Sequence, residues 1–139
     1  MGTSSLDNKT DGRVTELHLS SPLDADGSFY YKKRLGGEIS PSMLELGFLN
    51  YLNLSFNDFN LTHIPSFLGS MGSLRHLDLR WAKFSGLIPH PLGNLSSLRY
   101  LDLGGNDFNH ACIPSFLGSM GNLRHLGLLR ANFSGLIPH

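Results

Sequence analysis

Apolar positions along this chain repeat one template. In Leu98-Arg99-Tyr100-Leu101-Asp102-Leu103-Gly104-Gly105-Asn106 the leucines follow L-x-x-L-x-L-x-x-N. Around Leu101-Asp102-Leu103 they alternate with an outward residue, the two-residue period of a strand. Asn106 ends the strand, where a side-chain amide can bond backbone groups as the chain turns. The template recurs at 49–57, 74–82 and 123–131, with a degenerate copy at 14–20. The steps from Leu52 to Leu77, Leu101 and Leu126 are 25, 24 and 25 residues. Phe59, Phe84, Phe108 and Phe133 keep the same step, as do Ile64, Ile88, Ile113 and Ile137, each followed by proline.

A unit this short cannot bury its own leucines, so it must stack on a neighbour at either side. The step falls within the roughly 20 to 29 residues of leucine-rich repeats. The pattern therefore predicts an α/β fold: a right-handed solenoid, or horseshoe, of four to five repeats over residues 12–139. Short strands should stack in parallel about 4.8 Å apart and form the concave face. The convex face should carry loops and 3₁₀ or short helical segments such as Ser66-Phe67-Leu68-Gly69. Ile-Pro would open these segments, and Gly69, Gly93 and Gly118 would close them. Residues 14–19 are expected as the first strand, and 1–11 as a disordered lead-in. Residues 21–34, with Tyr30-Tyr31-Lys32-Lys33-Arg34, read as a surface loop carrying ordinary exposed charge.

A second period lies over the first. Residues 57–90 match 106–139 at an offset of 49, with 26 of 34 positions identical. The duplicated unit is thus a pair of coils. Inward leucines, phenylalanines and isoleucines are unchanged between the copies, whereas Asp78/Gly127, Arg80/Leu129 and Trp81/Arg130 differ at outward strand positions. Those outward columns are expected to face solvent on the concave side. They supply the candidate ligand-binding residues Tyr51, Phe56, His76, Asp78, Arg80, Trp81, Tyr100, Asp102, His125 and Arg130. Aromatic and arginine side chains of this kind dominate protein interfaces.

Catalytic and metal chemistry find little support. Asp78 and Asp102 fall one strand spacing apart, near the ~5 Å of a retaining glycosidase pair. Yet Asn53 and Gly127 occupy the same column, and an open concave sheet lacks the desolvation that separates an acid from a base. His76 and His125 lie two coils apart, about 10 Å, too far to share one metal at ~2.0–2.1 Å per ligand. No nucleophile motif or phosphate-binding loop is present. The expectation is a non-enzymatic chain with no cofactor and no metal.

Composition narrows the partners. Formal net charge is zero, which points away from nucleic acid and anionic membrane surfaces. No apolar run is long enough to insert in a bilayer, and the polar start, residues 1–13, does not read as a signal peptide. The single cysteine, Cys112, reads as a bystander thiol. Sequons place candidate glycosylation at Asn8, Asn60, Asn94 and Asn132. A fifth, at Asn53, would sit on the strand face.

The stretches Leu92-Gly93-Asn94-Leu95-Ser96-Ser97-Leu98-Arg99-Tyr100-Leu101-Asp102-Leu103 and Phe84-Ser85-Gly86-Leu87-Ile88-Pro89 resemble the plant-specific extracellular repeat. Gly12-Arg13-Val14-Thr15-Glu16-Leu17-His18-Leu19 resembles the junction of a plant N-terminal cap with its first repeat. Gly37-Glu38-Ile39-Ser40-Pro41-Ser42-Met43-Leu44-Glu45-Leu46 is similar to the first full repeat of membrane-anchored receptor-like proteins, including the type that perceives a fungal xylanase. The resemblance implies an N-terminal repeat fragment of such a receptor, without intact caps, on the extracellular side of the plasma membrane. It implies recognition of a protein or peptide ligand in defence or developmental signalling, with a co-receptor kinase in the full-length form. A secreted inhibitor of a microbial wall-degrading enzyme uses the same repeat and is the alternative, beside a non-functional truncated product.

Overall fold

The computed structural model describes residues 5–8 (backbone only), 12–21, 35–109 and 111–134. Its sheet runs in chain order through β1 (Ser5–Asn8), β2 (Val14–His18), β3 (Tyr51–Asn53), β4 (His76–Asp78), β5 (Tyr100–Asp102) and β6 (His125–Gly127). From β2 to β6 every pairing is parallel and in register, with Leu17, Leu52, Leu77, Leu101 and Leu126 side by side. This is the horseshoe that the leucine period predicts. The helical content of the described residues is 3₁₀, at Pro41–Glu45, Ser66–Ser70, His90–Asn94 and Ser115–Ser119. None of these helices is long and apolar enough to cross a membrane.

Two expectations need correction. Ser5–Asn8 lies in the stretch expected to be disordered, yet it pairs antiparallel with β2, Ser5 opposite His18. It covers an edge whose backbone groups would otherwise be left unpaired. The glycines of the convex segments are also not there to adopt a left-handed cap. Gly69 sits inside its 3₁₀ turn, and a Cβ there would come within 2.3 Å of the Pro91 carbonyl oxygen of the next coil. Its role is close approach. The loop at 21–34 lies outside the described residues apart from Ser21.

The core is a column of leucines capped by a phenylalanine stack. Leu52, Leu77 and Leu101 are fully buried, as are Phe84 and Phe108. Phe59 and Phe84 stack at 4.9 Å between centroids, and Phe108 and Phe133 at 5.2 Å. On the flank, isolated parallel bridges join His63 to Ser85 and Ser85 to Asp107.

Asparagines explain why the repeat unit is a pair. Asn106 is buried, and its Nδ2 donates to Leu103 and Gly104 O in its own coil and to Leu79 O in the preceding one. Its Oδ1 accepts from the N–H groups of Ala82 and Phe84, also in the preceding coil. Asn57 does the same one pair earlier, reaching Leu19 O and the Leu35 N–H. The equivalent positions in the intervening coils are Ala82 and Ala131. An alanine coil can do without an amide because the asparagine of the following coil serves its backbone.

Two substitutions test this packing. Asn106→Ala strands several buried backbone groups, each worth about 1–3 kcal/mol when unsatisfied, so urea titration should show a loss of at least about 2 kcal/mol. Leu101→Ala should cost about 2–5 kcal/mol, and Leu126→Ala clearly less, because Leu126 is 39% exposed where Leu101 is fully buried. Equal losses at the two leucines would contradict the register.

Candidate functional site

In-register strands turn each outward residue into a file across the coils. The first file is aromatic. The rings of His18, Tyr51, His76, Tyr100 and His125 stack in succession, with centroids 4.3, 4.1, 4.0 and 4.3 Å apart. Glu16, not His18, is the backbone partner of Tyr51. His18 reaches the stack diagonally, its Nε2 2.9 Å from Glu16 Oε1. The stacked rings present their edges along the concave face. Burial holds the His76 imidazole below its ordinary value, outweighing the opposing pull of Asp78; His18, Arg80 and His125 add to the lowering. Burial likewise raises the Tyr100 phenol, helped by the negative charges of Asp78 and Asp102.

The second file departs from expectation. Asp78 and Asp102 are buried, only 2% and 8% exposed, although they point outward from the sheet. Neighbouring side chains cover them. Arg80 forks onto Asp78, with Nε 3.0 Å from Oδ1 and Nη2 3.0 Å from Oδ2. Its Nε also lies 3.7 Å from Asp102 Oδ2. His125 Nε2 and the Tyr100 hydroxyl approach the same Asp102 oxygen at 3.6 and 3.4 Å. The hydrogen bond to Asp78 raises the Arg80 guanidinium pKa further. Asn53, Asp78 and Asp102 also play the same part in the backbone, since each accepts the N–H two residues on, from Ser55, Arg80 and Gly104. These carboxylates brace the strand ends and balance Arg80. Gly127 ends the file, where a Cβ would stand 2.4 Å from the Asp102 carboxyl carbon.

A further file, one residue beyond Arg80, has a backbone peculiarity that sequence reasoning missed. Phe56, Trp81, Gly105 and Arg130 all adopt left-handed φ, at 58, 51, 69 and 57°. Glycine suits this region, and bulky residues rarely enter it. Trp81 nonetheless remains 45% exposed, its ring lying so close over Gly105 that a Cβ there would meet it at 2.2 Å. Arg80 sits 5.6 Å from the Phe56 ring centroid, and Arg130 is exposed. The ten candidate concave residues are thus brought onto one face, eight at least partly accessible and the two aspartates covered.

Other candidates separate. Among the described residues no group of three or more His, Cys, Asp or Glu could hold a metal ion. Cys112 is an exposed free thiol. Of the sequon asparagines, Asn60 and Asn94 are exposed. Asn132 is exposed too, but its Nδ2 donates to Asp107 Oδ1 at 2.8 Å. Asn53 Oδ1 is engaged by Ser55, and the Asn8 side chain lies outside the described residues.

Comparison with known proteins places this geometry. Residues 48–71, 73–95 and 97–120 match the family model of the Leucine Rich Repeat. The chain is 45% identical over 83 residues to Receptor-like protein EIX1 of Solanum lycopersicum, an alignment covering 60% of this chain and 8% of that protein. Among solved structures, the complex of BIR3 with SERK2 from Arabidopsis thaliana superposes with a TM-score of 0.79 at 32% identity, over 97% of this chain and 65% of that one. The Arabidopsis receptor kinase HAESA, in complex with the peptide hormone IDA and the co-receptor SERK1, gives 0.69 at 27% identity, over 96% of this chain and 29% of that one. The chain spans less than a tenth of the length of the curated relative.

Burial of these groups makes stability depend on pH. Because the His76 pKa is lowered in the fold, the unfolded chain binds the extra proton below 6.5, and stability falls as pH drops through that value. His76→Phe should lose less stability between neutral and mildly acidic pH than the wild type, read from urea midpoints. Asp102→Ala should cost about 1–3 kcal/mol by stranding a buried N–H, measured at neutral pH. This replaces the near-zero effect expected of a solvated surface position.

Proposed function

We propose a function on one premise: the chain belongs to the leucine-rich repeat family. It acts as a non-enzymatic recognition segment of a plant receptor-like protein, presented on the extracellular side of the plasma membrane. Its concave face engages a protein or peptide ligand in defence or developmental signalling, and the full-length protein works with a co-receptor kinase. The peptide hormone and co-receptor bound by HAESA, and the SERK2 bound by BIR3, support that choice of partners. Glycans on Asn60 and Asn94, which lie away from the strand files, would leave the concave face open.

One observation carries the reading. At a left-handed position where Gly105 shows that glycine suffices, the other coils hold Phe56, Trp81 and Arg130. An L-residue there costs about 1–2 kcal/mol, and two of these side chains are exposed. Left-handed L-residues also occur off this face, at Leu61, Lys83 and Asn132; the support for a ligand surface is that Trp81 and Arg130, side chains of the kind that anchor interfaces, are exposed here. The aspartates support the face from below by fixing Arg80 and the strand ends.

The test separates folding from binding. Ligands are selected from a displayed peptide library, with a fungal xylanase as a second probe. Trp81→Ala and Tyr100→Ala should each weaken binding at least about tenfold, as truncated anchors do, while the convex Ser66→Ala and Ser115→Ala should not. Arg130→Gly should keep stability within about 1 kcal/mol of wild type and still weaken binding. Binding sensitive only to the convex substitutions would overturn the assignment.

A further inference from the structure

Arg75, Arg99 and Arg124 stand in one file just upstream of the ring stack. The pairing of His76 with Tyr100 and of Tyr100 with His125 sets them side by side, about 4.8 Å apart. The backbone locks the spacing: Arg75 O accepts from the N–H groups of Arg99 and Tyr100 at 2.8 and 3.0 Å, and Arg99 O from those of Arg124 and His125 at 2.7 and 3.0 Å. All three side chains are exposed. No carboxylate among the described residues lies within ion-pair distance of any of the three. At the near end of the same rim the Arg13 guanidinium lies 4.1 Å from the Phe48 ring centroid.

Like charges directly opposite each other on paired strands destabilise a sheet. The chain pairs Arg80 with Asp78 and Lys83 with Asp58. Arg75, Arg99 and Arg124 have no such partner among the described residues. The zero net charge of the whole chain therefore conceals a local cationic stripe. Between Phe48 and Arg75 lies a groove of about 380 Å³, lined by Phe48, Asn50, Gly72, Ser73, Arg75 and Ser97. Its walls are amide, hydroxyl and guanidinium, with one exposed ring, Phe48.

We propose that this rim binds an acidic polysaccharide, a chain carrying a carboxylate or sulfate on successive sugars. Each guanidinium offers a planar fork that grips either anion with two parallel hydrogen bonds. One guanidinium per coil gives the rim a regular row of positive charge at about the 4.8 Å strand separation, along which a flexible polyanion with a charge on each sugar can lie. The groove suits sugar hydroxyls through Asn50, Ser73 and Ser97, and it lacks the apolar socket that a peptide anchor needs. This surface lies outside the files assigned to the ligand, so either reading can fail without the other.

The test is a binding titration of the full chain at low and physiological ionic strength. The probes are an oligogalacturonate, a sulfated dextran oligomer and a methyl-esterified oligogalacturonate, beside poly-L-glutamate and phosphatidylserine vesicles. The acidic sugars should bind, more weakly as salt screens the rim, and the neutral ester should not; the stronger of the two acidic sugars identifies the anion. R75Q/R99Q/R124Q should weaken binding by about tenfold or more, with the fold checked by circular dichroism. K83Q removes a cation that pairs with Asp58 off the rim and should bind as the wild type does. Failure of both acidic sugars at low salt, an unaffected triple rim variant, or binding confined to poly-L-glutamate or to vesicles would each overturn the proposal.

Discussion

Every coil of this chain depends on the next for its interior. Three residues of strand, such as Tyr100–Asp102, bury one leucine, and that leucine is covered only because the same residue of the neighbouring coil lies against it. Parallel, in-register pairing imposes the rule on the backbone as well. The Leu54 N–H goes to Asp78 O, the Leu79 N–H to Asp102 O and the Leu103 N–H to Gly127 O. Asparagine amides then close the turns that strand pairing leaves open, at alternate junctions. Burial in such a stack is a nearest-neighbour quantity, which is why Leu126, with a partner on one side among the described residues, is the partly exposed member of its column.

The same rule builds the functional faces. A period that aligns leucines inward must align whatever stands between them outward, at one strand spacing. Rings brought that close stack, carboxylates brought that close need a cation, and arginines brought that close repel. The concave files show the first two outcomes, the ring stack and the Arg80 fork, and the upstream rim shows the third.

Much of this was legible in the sequence, because inward positions obey a period that exposure does not blur. Leu52, Leu77, Leu101, Phe84 and Phe108 were placed by spacing alone, and so were the partners across the concave files. Three features were not legible. The burial of Asp78 and Asp102 depends on where the long side chains of Arg80 and Tyr100 fold over, and the period is silent about that. The pairing of Ser5–Asn8 with β2 comes from a polar segment with little alternation. The left-handed turns at Phe56, Trp81 and Arg130 run against local preference, since glycine is the residue expected there and occurs only at Gly105. The alternation of Asn57 and Asn106 with Ala82 and Ala131 was visible as letters, but its meaning required seeing that each amide reaches backward into the preceding coil.

That backward reach constrains how such a gene can change length. A recombination event that deletes an alanine coil sets two asparagines in succession, and each still finds carbonyls and amides to bind. One that deletes an asparagine coil sets two alanines in succession, and the backbone N–H groups that Asn106 now satisfies at Ala82 and Phe84 lose their acceptor. Exchange by whole pairs, in steps of 49 residues, avoids the problem. The duplication already written in this chain is of that kind.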